Sequence, residues 1–327
     1  MNFKVLVTSK SFGMMSQEPI RILESNDCKI DWNPYNRLVN DEELSEIIPG
    51  YHALLVGDDI VGEKTLNKAY ELRVIAKHGI GIDNINVQLA TAKGILVTRA
   101  PESNSESVAD FTFALILGLG RKLVEAVLSA RQGLWKPTEF IGIELCGKIL
   151  GIIGFGSIGR RVARRAMGFD MKTLYYDIRE SFKDHDLEKY GAQFAELDDL
   201  LRRSDIVTLH VPLTESTRNL IDERELKEMK KTALLINTSR GEVVNETVLC
   251  KALKHGEIAG AAIDVYSKEP PGKNFPLFKL KNVVASPHVA SYTAESNIRM
   301  GTTAAKEIVK VLRGKKPRYS VNPECCI

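Results

Sequence analysis

The chain has 327 residues and a formal net charge of +3, with 44% hydrophobic and 27% charged residues. This length suits two domains of ordinary size, and the small net charge gives no general attraction to nucleic acid or to a membrane surface. No apolar run reaches the roughly 18 residues of a membrane helix, and the start of the chain lacks a signal-peptide pattern, so secretion is not expected. The 5 cysteines are scattered, which favours free thiols in a reducing cytoplasm over disulfides or a zinc site.

Short apolar runs alternate with amphipathic, helix-like segments along the whole chain. The runs predict strands at 4–7, 53–56, 74–76, 95–97, 149–153, 173–176, 206–209, 233–236, 259–263 and from 283 onward. Helix-like segments between them include 42–48, 64–69, 157–168 and 248–255. Strands without alternating polar residues are buried on both faces, so the predicted fold is α/β, with doubly wound parallel sheets covered by helices.

The sequence around Pro101 predicts a division between two domains. Pro101 disfavours helix at Ala100, and Ser103 or Ser105 can cap the helix that follows. A glycine-rich nucleotide motif occurs only after this point. We therefore predict a first domain over residues 1–101 and a second over 102–300, with the last segment, about 301–327, returning to the first.

The clearest chemistry follows the strand predicted at 149–153. That strand runs into Gly154-Phe-Gly156-Ser-Ile-Gly159, a G-x-G-x-x-G pattern that opens a helix. Gly154 permits a tight turn, Gly156 lets main-chain amides approach a pyrophosphate, and Gly159 lets the helix pack close to the sheet. Asp177 ends the next predicted strand, about 18 residues after Gly159, where a carboxylate binds the adenosine ribose and disfavours the 2′-phosphate of NADP. The pattern therefore predicts NAD.

Positive charge lies close to this motif. Arg179 follows Asp177 by two residues and keeps NADP open as the alternative cofactor. The helix after the motif carries several arginines: Arg160, Arg161, Arg164 and Arg165. Their helical spacing favours a solvated helix face over a nucleic-acid site.

Later segments place polar side chains directly after predicted strands. They are NTSRG at 237–241, DVYSKEP at 264–270 and SPH at 286–288. The carboxyl ends of parallel strands form the ligand crevice of an open sheet. We expect these side chains to lie near the dinucleotide: Arg240, Asp264, Glu269 and His288. No pair of histidines has the spacing of metal ligands, so no metal is predicted.

At these motifs the chain resembles the D-isomer-specific 2-hydroxyacid dehydrogenase family. The matching pieces are GFGSIG with Asp177, HVP at 210–212, NTSRG, DVYSKEP and SPHVA, in the order and spacing of the family. KHGIGIDN at 77–84 and PESNSESVAD at 101–110 also look like family signatures. Asp110 is a small departure, because the family usually carries glutamate there. The resemblance covers nearly the whole chain.

The resemblance implies a Rossmann NAD-binding domain, a flavodoxin-like substrate-binding domain, and hydride transfer between NAD and a small D-2-hydroxy acid. His288 is implied as the general acid, a task that suits histidine with its unperturbed pKa of about 6.5. Glu269 is implied to hold the imidazole in place. Arg240 is implied to bind the substrate carboxylate, because its rigid fork of donors matches a carboxylate.

Further contacts are implied by the same resemblance. Those with the cofactor, besides the glycines and Asp177, are Ser157, Ile158, His210, Val211, Pro212, Thr238, Ser239, Arg240, Asp264, His288 and Ala290. Those with the substrate are Lys77, His78, Gly79, Ile80, Asn104 and Arg240. The amides of Gly79 and Ile80 would form an anion-binding nest, and Asp264 would meet the nicotinamide carboxamide. A structural role for His78 or His210 stays open.

The loop at 77–84 looks most like the phosphoglycerate dehydrogenase branch, in a short form without a regulatory domain. Lys77 would offer a cation to a substrate phosphate, which favours 3-phosphoglycerate and phosphohydroxypyruvate. Reduction of glyoxylate or hydroxypyruvate is the enzymatic alternative. An NAD-sensing, corepressor-like binding protein is the alternative from another class; the absence of long extensions argues against it.

The helix predicted at about 106–119 is unusually apolar for a surface element. In the family it helps to build a dimer interface. We therefore expect a cytoplasmic homodimer that binds a small-molecule acid and neither nucleic acid nor a membrane.

Overall fold

The computed structural model describes residues 2–178 and 191–325. The chain forms two compact units, one of Met1–Asn104 with Tyr292–Ile327 and one of Ser105–Ser291. The division expected after residue 101 falls after Asn104, and the return expected at about 301 begins earlier, at Tyr292. The substrate-binding and cofactor-binding roles of the two units stay predictions.

Strands and helices alternate along the described residues. The strands are β1 (Phe3–Val7), β2 (Cys28–Trp32), β3 (Ala53–Val56), β4 (Val74–Lys77), β5 (Leu96–Thr98), β6 (Ile149–Ile153), β7 (Lys172–Tyr176), β8 (Ala192–Phe194), β9 (Ile206–Leu209), β10 (Leu234–Asn237), β11 (Gly260–Ile263) and β12 (Val283–Ala285). The α-helices are α1 (Glu18–Glu24), α2 (Asp41–Ile47), α3 (Glu63–Lys68), α4 (Val87–Ala92), α5 (Ser105–Gly120), α6 (Leu123–Arg131), α7 (Ser157–Met167), α8 (Leu197–Arg203), α9 (Glu223–Glu228), α10 (Glu246–His255) and α11 (Ala294–Leu312).

The first unit is built on a parallel five-stranded sheet in the order β2-β1-β3-β4-β5. This is the flavodoxin-like order, and the direction of winding reverses between β1 and β3. Every residue of β3 and β4 is buried, and the helices cover both faces of the sheet with apolar side chains. Loops at the carboxyl ends of strands beside such a reversal form the crevice where ligands bind.

The second unit is built on a parallel seven-stranded sheet in the order β12-β11-β10-β9-β6-β7-β8. Winding begins at β6, runs outward to β8, and then resumes at β9 on the other side of β6. This is the Rossmann order, with one more strand at the far edge. The prediction of two doubly wound parallel sheets is confirmed.

The sequence did not predict β2 and β8, which lie at the edges of the two sheets. In β2 only Cys28 is buried, and in β8 only Ala192. An edge strand has one open side, so its polar residues interrupt the apolar run that marks a central strand. The strongest signal in the sequence therefore comes from the middle of each sheet.

Helix α11 is longer than the segment expected at about 304–312. It begins at Ala294, with the Thr293 side chain accepting a hydrogen bond from the Ser296 N–H at 3.1 Å. Its first half packs through small residues: a Cβ on Gly301 would lie 3.0 Å from Pro19 of α1. Small and polar residues give little apolar periodicity, so the sequence signal covers only the second half of the helix.

The apolar character of α5 is explained inside the second unit. Phe113, Leu115 and Ile116 are buried in its core. Helix α6 differs, because none of its residues is buried. Among the described residues, no helix combines the length and apolar character needed to cross a membrane.

Candidate active site

The predicted site residues of the second unit follow neighbouring parallel strands. We take the strands in their order across the sheet. His288 follows β12, Asp264 and Glu269 follow β11, and Thr238 to Arg240 follow β10. His210 to Pro212 follow β9, the glycine motif follows β6, and Asp177 follows β7. Because all described strand pairs of this sheet are parallel, these loops leave the same edge. The sheet order thus gathers residues that lie far apart in the sequence.

His288 and Glu269 form a direct pair. The His288 Nδ1 atom lies 2.6 Å from Glu269 Oε2, and each side chain is about one-third exposed. The Tyr266 N–H donates to the other carboxylate oxygen, Oε1, at 3.0 Å. The carboxylate is therefore held at both oxygens, and one of them contacts Nδ1 of the imidazole.

Asp264 anchors the loop that carries His288. Its Oδ1 accepts from the Ser286 hydroxyl at 2.6 Å and from the Val289 N–H at 2.9 Å, and its Oδ2 accepts from the Ala290 N–H at 2.8 Å. Burial raises the pKa of Asp264, while these donors and nearby His288 act in the opposite direction. His288 has a left-handed φ of +53°, a conformation uncommon outside glycine, which the anchored residues on either side stabilise.

Asn237 shapes the loop that carries Arg240. Its Oδ1 accepts from both the N–H and the hydroxyl of Ser239, at 3.0 and 2.8 Å, and its amide donates to the Arg240 carbonyl at 2.9 Å. The guanidinium of Arg240 donates to the Ser239 carbonyl at 2.7 Å. The Thr238 hydroxyl lies 3.4 Å from that of Thr112 on α5. This turn fixes the main chain from which Arg240 projects.

The glycine motif forms a close contact between β6, α7 and the loop after β9. A Cβ on Gly154 would lie 2.5 Å from the His210 carbonyl oxygen, and one on Gly159 would lie 2.2 Å from the Gly154 carbonyl oxygen. Gly154 also has a φ of +93°, which favours glycine. Both positions therefore require glycine. The first turn of α7, from Ser157 and Ile158, supplies main-chain N–H groups without intrahelical acceptors, as a pyrophosphate requires.

Asp177 is tied to the same motif. Its Oδ2 accepts a hydrogen bond from the Phe155 N–H at 2.7 Å. This bond links the end of β7 to the glycine loop, so the predicted ribose-binding carboxylate lies beside the predicted phosphate-binding turn. Arg179, on which the NADP alternative rests, lies outside the described residues.

His210 is half-buried directly after β9. Burial lowers its pKa to about 3, and its Nε2 lies 3.0 Å from the Thr208 hydroxyl. Its Nδ1 is buried and has no hydrogen-bond partner among the described residues. Pro212 accepts a hydrogen bond from the Thr217 hydroxyl at 2.6 Å, which folds the chain back after Val211.

In the first unit, Lys77 at the end of β4 is buried. Its ammonium donates to the Gly57 carbonyl at 2.5 Å, to Asn84 Oδ1 at 3.0 Å and to Asp58 Oδ1 at 3.2 Å. These acceptors occupy the three protons of the ammonium. The phosphate-binding role expected of Lys77 stays a prediction; the acceptors that its ammonium already has in the loops after β3 and β4 speak against it.

Gly79 and Ile80, which follow His78 in the chain, present main-chain hydrogen-bond donors. Within the described residues, the main-chain N–H groups of Gly79 and Ile80 have no hydrogen-bond acceptor. Gly79 is buried, and an unpaired buried N–H is rare, so this pair is suited to a carboxylate. The Asn104 side-chain oxygen is likewise buried without a partner in the part of the chain that the structure describes.

Three arginines of α7 are bound to α5. Arg161 and Arg165 each form an ion pair with Glu106, and Arg165 also pairs with Asp110. This network joins two helices of the second unit and accounts for the positive charge of the segment. Between 2 and 178 and between 191 and 325, the structure contains no group of three or more side chains arranged to hold a metal ion.

Comparison with known proteins decides the family. A model of the NAD-binding domain of the D-isomer specific 2-hydroxyacid dehydrogenases matches residues 113–290. A glyoxylate reductase from Korarchaeum cryptofilum is 45% identical over 271 residues, which are 81% of each chain. This chain belongs to the D-isomer specific 2-hydroxyacid dehydrogenase family.

Two further relatives of this 2-hydroxyacid dehydrogenase cover almost its whole length. A D-3-phosphoglycerate dehydrogenase from Archaeoglobus fulgidus is 38% identical over 320 residues, which are 98% of this chain and 59% of that relative. The solved structure of a D-lactate dehydrogenase from Aquifex aeolicus, complexed with NAD and lactic acid, has a TM-score of 0.83 and 30% identity, covering 97% of this chain and 99% of that one.

The family confirms the predicted activity class and cofactor. The chain is an NAD-dependent oxidoreductase that acts on the CH–OH group of a 2-hydroxy acid. The glycine cradle, the start of α7 and Asp177 fit a dinucleotide. The individual contacts with cofactor and substrate stay predictions.

The sequence did not reveal some residues that shape the site of this dehydrogenase. Tyr266 holds Glu269 through its N–H, and its hydroxyl donates to the Ser286 carbonyl at 2.8 Å, joining the loops after β11 and β12. Asn237 organises the Arg240 turn. An asparagine that ends a strand before a polar loop is a recognised turn-former, so Asn237 could have been found. No feature of the sequence indicates that Tyr266 joins these loops.

Proposed function

We propose that this enzyme reduces short 2-keto acids whose substituent carries no charge, namely glyoxylate and hydroxypyruvate. The proposal rests on the hydrogen bonds of Lys77. This buried ammonium is bonded to Gly57, Asp58 and Asn84 and leaves no free cation for a phosphate. The phosphate of phosphohydroxypyruvate carries about two negative charges, and it is costly to bind this phosphate without a cationic partner.

The comparisons support the same choice. The glyoxylate reductase from Korarchaeum cryptofilum is 45% identical to this chain, whereas the D-3-phosphoglycerate dehydrogenase from Archaeoglobus fulgidus is 38% identical. That phosphoglycerate relative aligns over 98% of this chain, which keeps phosphohydroxypyruvate as the second candidate substrate.

We assign the chemistry of reduction as follows. Bound NADH supplies a hydride to the substrate carbonyl carbon. His288 donates a proton to the carbonyl oxygen from Nε2, because Nδ1 is held by Glu269 at 2.6 Å. Glu269 keeps the ring oriented and favours its protonated form. Reduction therefore needs His288 protonated and oxidation needs it neutral, so the two directions have opposite pH preferences.

Each unit, taken by itself, has a candidate group for binding a carboxylate. In the second unit, Arg240 offers a guanidinium fork that matches a carboxylate. In the first unit, the main-chain N–H groups of Gly79 and Ile80 have no acceptor among the described residues. Every 2-keto acid has a carboxylate, so neither candidate distinguishes glyoxylate from its larger relatives.

A panel of 2-keto acids tests the proposal. NADH oxidation is followed with glyoxylate, hydroxypyruvate, pyruvate, 2-oxoglutarate and phosphohydroxypyruvate. We expect kcat/KM for hydroxypyruvate or glyoxylate to exceed that for phosphohydroxypyruvate by at least about tenfold, equivalent to about 1.4 kcal/mol. A preference for phosphohydroxypyruvate would overturn the proposal. No turnover of any acid, with NADH still bound, would instead favour a binding role.

We also propose that the enzyme is a homodimer assembled through α6. Leu123 and Leu128 on α6 and Trp135 in the loop that follows it are exposed, with Trp135 at 90%. Exposed apolar residues in this number mark an interaction surface, and a second copy offers the same surface to it. Light scattering should give twice the chain mass, and Leu128→Asp should give the mass of one chain. The same mass for both proteins would contradict the assignment.

A further inference from the structure

A second polar site lies at the carboxyl edge of the sheet in the first unit. The winding of this sheet reverses between β1 and β3, so the loops after β1, β3 and β4 open the crevice expected of such a fold. The loop after β1 brings Ser9 and Ser11, and His78 follows β4. These three residues form the Ser9–Ser11–His78 cluster.

The cluster is held together by hydrogen bonds. Ser9 Oγ lies 3.1 Å from His78 Nδ1, Ser11 Oγ lies 3.4 Å from the same nitrogen, and the two hydroxyl oxygens are 3.4 Å apart. The ring of Phe12 packs edge-on against the imidazole, with ring centroids 6.0 Å apart. Ser9 and His78 are buried, whereas Ser11 is half-buried, so the hydroxyl of Ser11 opens the cluster to a ligand.

The cluster carries hydrogen-bonding groups without a net charge. Burial, together with the positive charge of Lys77, lowers the pKa of His78 to about 4, and the Asn297 main chain and Asp58 offset only part of this. The imidazole is therefore neutral at pH 7. Its Nε2 is buried without a hydrogen bond of normal geometry to any described residue. Since Nδ1 faces the serine hydroxyls and Nε2 lies on the other side of the ring, the capacity of the cluster for a further hydrogen bond lies at the half-buried Ser11 hydroxyl.

The cluster directly precedes the proposed carboxylate donors. His78 is followed at once by Gly79 and Ile80, whose N–H groups have no acceptor among the described residues. In a 2-keto acid, the carboxylate carbon and C3 are separated only by the carbonyl carbon. The C3 substituent of an acid bound by these two amides is therefore only two bonds from the carboxylate carbon, which makes the residue before the amides the candidate neighbour of that substituent.

We propose that the Ser9–Ser11–His78 cluster is the specificity site for the C3 substituent and that it selects the hydroxymethyl group of hydroxypyruvate over the methyl group of pyruvate. The inference rests on the proposed function. A hydroxyl can both donate to and accept from serine hydroxyls and a neutral imidazole. A methyl group can form no hydrogen bond with these groups, so pyruvate gains none of this stabilisation.

The test compares substrates that differ only at C3. The selectivity ratio is kcat/KM for hydroxypyruvate divided by kcat/KM for pyruvate. We expect this ratio to fall about 3- to 10-fold in Ser11→Ala, the usual worth of one hydrogen bond, and further in His78→Phe. Ser11→Ala removes a half-buried hydroxyl and is not expected to impair folding, and Phe at position 78 keeps the aromatic packing against Phe12. Ser25→Ala, an exposed serine of the same unit, is the matched control and should keep the wild-type ratio.

The outcomes separate the two proposals. A wild-type enzyme that reduces glyoxylate but has equal kcat/KM for hydroxypyruvate and pyruvate would overturn the specificity site and leave the proposed function standing. The same holds if Ser11→Ala and His78→Phe keep the ratio of Ser25→Ala. A wild-type enzyme that reduces neither glyoxylate nor hydroxypyruvate would overturn the proposed function itself.

Discussion

Two histidines, one in each unit, follow parallel strands but have opposite surroundings. His288 follows β12, is about one-third exposed, and lies 2.6 Å from the Glu269 carboxylate. His78 follows β4, is 7% exposed, and lies beside serine hydroxyls and the positive charge of Lys77. A carboxylate and solvent favour a charged imidazole, whereas burial beside a cation favours a neutral one.

This difference shows that a position at the carboxyl edge of a sheet does not by itself define the role of a histidine. The same side chain is suited to proton transfer in the second unit and to neutral hydrogen bonding in the first. The role of each histidine is decided by the groups beside it, and those groups come from other loops at the same edge of the sheet. Three measurements can test this contrast.

The largest expected effect is on turnover in His288→Ala. Loss of a positioned general acid should lower kcat about 10²- to 10⁴-fold, while NADH affinity changes by no more than about threefold. Steady-state kinetics and NADH fluorescence titration measure the two quantities. His255→Ala, an exposed histidine in the last turn of α10, is the control and should behave as the wild type. Near-normal turnover in His288→Ala would remove the proposed contrast between the two histidines.

Much of the second unit could be predicted from the sequence. Apolar runs such as Ile149–Ile153 and Ile206–Leu209 match observed strands, because they are central and buried. The polar residues directly after them then lie at one edge, since the strands are parallel. Contacts within that edge could not be predicted: that Tyr266 joins two loops, or that Asp264 anchors the one carrying His288, depends on side-chain directions in three dimensions.

The surroundings of Lys77 are a feature that the sequence does not indicate. The sequence places it two residues before Gly79, which suggested a cation for a substrate phosphate. Its acceptors Gly57 and Asp58 belong to the loop after β3, about 20 residues earlier, and become neighbours only because β3 pairs with β4. A local pattern cannot indicate that a charge is already satisfied by another loop.

The second prediction concerns this lysine. Lys77→Met should lower the free energy of unfolding by about 2–4 kcal/mol, because the half-buried acceptors of Gly57 and Asn84 lose their buried donor. Urea unfolding measures the change. Lys68→Met is the control: Lys68 is a partly exposed lysine that pairs with Glu46 at the surface, and its removal should cost less than about 1 kcal/mol.

The same variant tests the alternative role of Lys77. If the ammonium instead recognises phosphate, Lys77→Met raises KM for phosphohydroxypyruvate selectively, with little loss of stability. Our structure-based expectation is the reverse: a loss of stability, with kcat/KM for phosphohydroxypyruvate and hydroxypyruvate changing in parallel.

The smallest expected effect is an acid sensitivity that His78 gives to the first unit. The folded pKa of His78 is lowered to about 4, against about 6.5 for an unfolded histidine. Between these values the unfolded chain binds a proton that the folded chain does not, so the free energy of unfolding falls as pH falls below about 6.5. At pH 5 the contribution is about 2 kcal/mol, from about 1.36 kcal/mol per pH unit.

Urea unfolding at pH 7 and pH 5 measures this sensitivity. His78→Asn should reduce the loss of stability between the two pH values by about 2 kcal/mol, whatever its effect at pH 7, because asparagine does not titrate. His255→Asn is the control, and it should keep the wild-type loss since His255 is exposed in the folded chain. An unchanged loss in His78→Asn would mean that His78 is protonated in the folded chain. It would then resemble His288 in charge, and the neutral character on which the contrast rests would be lost.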